Sequence, residues 1–382
     1  MATNGMNGKD PVLVVIQQSG GNDFMNTLIP FTNGHYHDAR PTVGVAADRV
    51  IPINDTLGFH PNAAPLKEMF DAGDVAVIQG IGYENSSRSH FRAMDIWHTA
   101  EPNSVATEGW LGQAIRYIDP DKKNVLTGVS FGRGLPRAMA APGVQVASVG
   151  NLDNYGLMTP VEAEAERARD LDIFKRMYTP AIGSGPVMSY LGQTGRDSLV
   201  GAELLKLAPE SYSSTVEYAD NPIAQALRDV ARVHLAGLGT RIFYTQHGGY
   251  DYHAHEVPNH ERLLAELTGG IRDFLDDLRQ HGAADNVLIL VFTEFGRRMR
   301  DNGSGTDHGS GGGAFLIGER VKGGLYSEYP SLDPADWLNG EDLAHTIDFR
   351  SIYATILEQW MKLDSEEIVR GKYEQIDPFV AA

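Results

Sequence analysis

Short, unbroken runs of β-branched and aliphatic residues recur at wide intervals, at 12–16, 75–79, 144–149, 241–245, 287–292 and 314–317. Runs such as VLILVF lack the apolar-polar alternation of a strand with one wet face, so they predict strands buried on both sides. Between them lie helical patterns at 61–72, 91–98, 160–177, 222–236 and 259–281. In the last of these, Leu263, Leu264, Leu267, Ile271, Phe274, Leu275 and Leu278 fall at spacings of one, three and four. That spacing makes a single apolar stripe to lay against a sheet. Strands separated by helices predict one α/β domain over 11–382, built on a mostly parallel central sheet. Residues from about 150 to 235 are rich in charged helical sequence and Gly/Pro/Ser breaks and offer no clear strand, which predicts a helical insertion or lid. Residues 1–10 are expected to be disordered.

Composition narrows the chemistry. The 382 residues carry 32 Lys+Arg against 50 Asp+Glu, a formal charge of -18, with 42% hydrophobic residues and no Cys. This is the balance of a soluble globular protein with a large core. Without Cys there is no disulfide, thiolate zinc site or Cys nucleophile, so any metal falls to His, Asp, Glu or Asn. The carboxylate surplus repels polyanions, and the cluster Arg297-Arg298-Met299-Arg300 is too short to reverse this, so nucleic acid is not an expected partner. No stretch approaches the ~18 consecutive apolar residues of a membrane span. The opening MATNGMNGKD has neither the basic start nor the apolar run of an export signal, and on that basis alone the cytoplasm is an open compartment.

Chemistry collects after the strands. The first is followed by QQSGGNDF with Asn22 and Asp23, the second by GIGYENSSRSHF with Ser86, Ser87, Ser89 and His90. After 241–245 comes QHGGYDYHAHE with His247, Asp251, His253 and His255; after 287–292 come Glu294 and a glycine loop with Asp307 and His308. In a parallel sheet these ends share one edge, where open α/β folds place their ligands. Carboxylates, imidazoles and hydroxyls among glycines form a ligand set for one or two divalent ions, Zn²⁺, Mn²⁺, Mg²⁺ or Ca²⁺. Such ions polarise a phosphoryl or sulfuryl oxygen and supply the positive charge an acidic protein lacks.

Each piece also has a plainer reading. Asp251 and His253 alternate and so share one side of an extended segment, but a histidine-rich surface loop needs no metal. His260, inside the long helix, reads as a surface residue near its start. Glu294 ends an apolar strand and must meet solvent at a cleft or pair with Arg297 or Arg298. The serines at 86, 87 and 89 are first of all helix caps. A nucleophile at the same place would gain from the free NH groups there, with Arg88 gripping a phosphate or sulfate bidentately. Spacing does not choose among the three. Trp97 and His98 read as core and groove wall.

The strings SGGND, SRSHFRAMDIWHTA, GGYDYH, TEFGRR, GTDHG and VKGGLYSEYPSL, in order from Val12 to about Trp360, resemble a bacterial family known as domain of unknown function 1501. Its members are similar to sulfatases and alkaline phosphatases and usually carry a twin-arginine export leader. The resemblance implies an alkaline-phosphatase-like three-layer sandwich and a periplasmic or secreted protein. It also implies Asp23, Asp251, His253, Glu294, Asp307 and His308 as metal ligands, and Ser89, Arg88 and His90 as the catalytic group. The SH pair kept in the family motif selects Ser89, with Ser86, four positions before His90, as competitor. Two departures stand out. Glu84 occupies the place where sulfatases mature a Cys or Ser to formylglycine, and Glu294-Phe295 stands where phosphatases of the superfamily present Asp-His.

The expected function is therefore metal-dependent hydrolysis of phosphate or sulfate esters, with Ser89 or a metal-activated water attacking a small anionic ester or a sulfated or phosphorylated saccharide. The competing expectation is a catalytically degenerate binding or assembly protein on the same fold, associated with polysaccharide. The sequence leaves the oligomeric state open.

Overall fold

The computed structural model describes residues 9–132, 134–153 and 186–380, together with Glu166, Arg169, Asp172, Ile173 and Arg176. All six expected runs contribute to one nine-stranded sheet. Its order is Gly324–Tyr326, Val75–Gly82, Gly312–Ile317, Val287–Thr293, Val12–Ser19, Ile242–Gly248, Gly128–Phe131 and Ala147–Val149, with Ile347–Asp348 also pairing to Val75–Gly82. Every neighbouring pair is parallel except the two made by Gly312–Ile317. That reversal positions the site. The start of the reversed strand lies where its neighbours end, so Gly312 and Gly313 sit opposite Ile81 and Gln79. Loops that precede it and loops that follow the others therefore meet at one edge.

The strand side chains divide strictly between two cores, as alternation demands. Val12, Val14, Ile16, Val287, Ile289 and Val291 point into one, shared with Leu66, Leu227, Leu267 and Phe274. Leu13, Val15, Leu288, Leu290 and Phe292 point into the other, shared with Trp97, Trp110, Phe349 and Ile352. Helices Ala64–Asp71, Pro222–Leu235 and Glu256–Gln280 thus cover one face, and His90–Thr99, Trp110–Ile118 and Phe349–Thr355 the other. This is a three-layer α/β sandwich. Burial on both faces explains the unbroken VLILVF run, each side chain of which stabilises the fold by ~1.5–3 kcal/mol.

The stripe read in the long helix is buried as expected, but the helix begins at Glu256, and His260 is only 2% exposed rather than on the surface. Between 150 and 235 the described residues past 153 are helical or irregular, with helices Pro186–Leu205, Leu207–Ser211 and Pro222–Leu235. The last packs through Leu227 and Val230 into the sheet's core, and Asn221 caps it by accepting from the Ala224 NH. The helix expected at 160–177 and the first eight residues lie outside the described residues, apart from the five isolated positions named above. Among the described residues no helix is long and apolar enough to cross a membrane.

Candidate metal centre at the strand ends

Two loop segments and one helix start converge at the sheet edge. His90 opens the helix His90–Thr99, Asp251 and His253 follow the strand Ile242–Gly248, and Asp307 and His308 lie just before the reversed strand. Ligand atoms of His90, Asp251 and His308 lie within 4.8 Å of one another. The Asp251 carboxylate is 3.2 Å from His90 Nε2, 2.9 Å from His308 Nε2 and 3.1 Å from His253 Nε2. Each imidazole is held at its other nitrogen: His90 Nδ1 by Glu294 at 3.0 Å, His308 Nδ1 by the Arg88 carbonyl at 2.8 Å, and His253 Nδ1 by Asp307 at 2.9 Å. Three rings thus present Nε2 to one carboxylate.

Local charge follows this geometry. The Glu294 hydrogen bond raises the His90 pKa against the effect of burial. Burial would raise that of Asp251, but hydrogen bonds from His308 and Arg297 bring it down to about 2. Asp307 is lowered by its bond to His253. His90 Nε2 is buried with no hydrogen-bond partner of good geometry. An unpartnered imidazole nitrogen beside a carboxylate and a second imidazole is a donor set that fits a divalent cation.

Glu294 and Arg297 hold the loops in place. Glu294 does not pair with Arg297 or Arg298 as one sequence reading had it; it accepts from the Gly20 NH at 2.8 Å, from Thr293 Oγ1 at 3.0 Å and from His90. Arg297, 1% exposed, donates instead to the carbonyls of Gly20, Gly21 (2.7 Å), Tyr250 (2.6 Å) and Thr306 (2.8 Å), and reaches Asp251 at 3.2 Å. One guanidinium thereby ties together three loops. Gly20 is needed for the closeness: its φ is +123°, and a Cβ there would lie 2.3 Å from the Asp251 backbone nitrogen. Nothing in the sequence separates Arg297 from Arg298 and Arg300, so its role was not foreseen.

Other expected site residues lie elsewhere. Asp23 is not brought to this cluster. Its side chain is wholly buried against Arg40; burial would raise its pKa, but the Arg40 guanidinium, with a hydrogen bond from Glu256, holds it below the usual value. Asp23 also shares a hydrogen bond with Glu256, which burial and that neighbouring charge push well above the usual carboxyl range. Around them Asn26 and Thr306 donate to Glu256, and Tyr252 meets His260 Nδ1 at 2.6 Å. Arg88 is not free for an anion: Nε and Nη2 both reach Asp342, at 3.1 and 2.6 Å. Ser89 is the exposed N-cap residue of its helix but makes no capping bond through its side chain, whereas the Ser87 hydroxyl accepts from the Ser89 NH.

Beside the cluster opens a cleft of ≈ 500 Å³, lined in part by Gln17, Phe91, Met94, Asp95, His98 and Arg137. His98 forms groove wall as expected, and burial lowers its pKa to about 4. Trp97 is in the core.

Among solved structures, the chain is similar to a sulfatase from Pseudoalteromonas sp., at 12% identity over 97% of this chain and 71% of that one, with a TM-score of 0.43. A protein of glycosaminoglycan metabolism by Bacteroides thetaiotaomicron gives 10% identity, 96% and 76% coverage and a TM-score of 0.41. An alkaline phosphatase superfamily protein from Vibrio parahaemolyticus gives 11%, 94% and 70%, and 0.37. No curated protein matches the sequence. The match that identifies the chain is to the family described as protein of unknown function (DUF1501), which covers residues 11–372, and the chain belongs to that family.

Proposed function

We propose that this protein is a metal-dependent hydrolase of phosphate or sulfate esters. The observation that carries the reading is the posture of three imidazoles, each tied at Nδ1 and turned through Nε2 onto Asp251. Metal-ligating histidines are oriented in this way by their outer hydrogen bonds. His90, Asp251 and His308 would hold the ion, with His253 and Asp307 beside it; two imidazoles and a carboxylate suit Zn²⁺ or Mn²⁺ better than Mg²⁺ or Ca²⁺. A divalent cation held there would polarise an ester oxygen and would offset the carboxylates that repel an anion.

The chain's own residues do the rest. Glu294 fixes the His90 ring, and the Arg88 carbonyl fixes His308. Ser89, exposed and without a capping bond, is the attacking group, with water as the alternative. The unpaired NH groups of the helix start favour the anionic part of the ester. His253 takes the proton of the attacking hydroxyl or water and passes it to the departing alcohol as the ester bond breaks; where Ser89 attacks, water then cleaves the seryl ester and restores the hydroxyl. Metal analysis combined with assays on aryl phosphates and sulfates tests this. Turnover that depends on added metal and disappears in His308→Ala is expected; no bound metal and no turnover with Zn²⁺, Mn²⁺, Mg²⁺ or Ca²⁺ would sink it.

One observation favours a second reading. Arg88, the cation closest in sequence to the nucleophile candidate, is committed to Asp342 and Glu341, which suits a protein that holds an ion and a saccharide without turnover. Saccharide binding in the absence of activity would support it. Export to the periplasm, implied by the family resemblance, is checked by fractionating cells that make the full-length protein.

A further inference from the structure

We propose that the cleft takes the alcohol portion of the ester and that this portion is an aryl group seated on Phe91 and Met94. The proposal rests on reading the cluster as an ester-hydrolysing centre. One helix connects the two: His90, Met94 and His98 fall at i, i+4 and i+8, along a single face of His90–Thr99, and all three line the cleft. At 1.5 Å per residue, Met94 sits about 6 Å along the axis from His90, the span of one aromatic ring. An anion at the cluster therefore places its substituent over Met94.

Away from the cluster, Gln17, Asp95, His98 and Arg137 are already engaged with one another or with neighbouring groups. Gln17 donates to Ser19 Oγ at 2.7 Å and accepts from Tyr244, and its Oε1 lies 3.0 Å from His98 Nε2. Asp95 is paired with Arg92 at 2.8 Å and Arg137 at 2.6 Å, while Arg137 also donates to the Ala106 carbonyl. Apolar surface is what remains. Phe91 is 92% exposed, a large ring with little to cover it. A polyhydroxylated ring entering here would give up hydrogen bonds to water without replacements. An aromatic ring instead buries its faces against Phe91 and the thioether of Met94.

The test is calorimetric titration of the metal-loaded protein with phenylphosphonate, methylphosphonate and glucose 1-phosphate. Phenylphosphonate should bind at least roughly tenfold tighter than the other two, the effect of burying one ring. Phe91→Ala with Met94→Ala should erase that preference, and Phe91→Ala alone, at so exposed a position, should reduce it without lowering the melting temperature. Equal binding of phenyl and methyl ligands, tighter binding of the sugar phosphate, a preference that survives in the double variant, or no binding of any ligand would each overturn the proposal. Metal content and ester turnover in the same samples report on the hydrolase reading separately: a phenyl preference without turnover refutes that reading and leaves the aryl subsite standing.

Discussion

Among the described residues, the carboxylates and imidazoles around Asp251 and those around Asp23 differ in what surrounds them. Asp251 keeps 44% of its side chain exposed and faces three Nε2 atoms. Asp23 has a side chain that is 0% exposed and faces the Arg40 guanidinium and the Glu256 carboxyl. The same residue types are thus an accessible donor set in one place and a closed internal ion pair in the other. A buried carboxylate must be neutralised by the chain itself, and once that has happened it has nothing left to offer a ligand.

The sharpest way to break the contrast is to remove each partner. Arg40→Met leaves the Asp23 charge buried and should cost about 3–5 kcal/mol, read as a lower urea midpoint. Asp251→Asn, in metal-free protein, should change stability by no more than ~1 kcal/mol, because the site is half exposed. If the two variants lose equal stability, the contrast between the clusters fails.

Metal affinity should rank the residues in the opposite order. Glu294→Gln, which within the cluster alters only the support of the outer nitrogen of His90, should weaken Zn²⁺ or Mn²⁺ binding by roughly 10–100-fold, and Asp251→Ala should weaken it more. Asp23→Asn should leave the stoichiometry unchanged. Calorimetry or competition with a chromogenic chelator would measure all three.

A smaller effect is expected from pH. Glu256 has a raised pKa in the folded state, so between its unfolded value of about 4.5 and its folded value the native protein holds a proton that the unfolded chain has released. Stability from this group therefore falls as pH rises. Asp23, whose pKa is lowered, acts in the other direction, its contribution being present above 3.8 and lost in stronger acid. Glu256→Gln should gain on the wild type by about 1.4 kcal/mol per pH unit above pH 5 until the folded pKa is reached. Denaturant midpoints at pH 5, 7 and 9 would reveal a flat difference if the idea is wrong. The smallest change is expected for Ser89→Ala, within ~0.5 kcal/mol in stability; a loss near 1 kcal/mol would mean that the hydroxyl caps the helix after all.

The architecture was legible because burial on both sheet faces leaves an unbroken apolar signature, as in VLILVF, and because a long stripe such as that of 259–281 has only one place to go. The convergence of Asp251, His253, Glu294, Asp307 and His308 was legible from their places after the strands. The route by which Asp307 and His308 arrive was not, since the run at 314–317 reads the same in either strand direction. Asp23 also follows a strand, and nothing local says that Arg40, seventeen residues on, will close over it. His260 looked exposed because periodicity reports one stripe, whereas its burial comes from a different neighbour, the loop carrying Tyr252. Arg297 was invisible for a similar reason: its partners are backbone carbonyls, which have no letter in the sequence.

If the cluster holds an ion as proposed, the Arg297 knot bears on how the protein would live with changing supplies of it. Since the guanidinium grips the carbonyls of Gly20, Gly21, Tyr250 and Thr306, the pocket's shape is inherited from the polypeptide and does not wait on the cargo, unlike that of a zinc finger, which collapses when stripped. Chelation should leave a folded, refillable vessel.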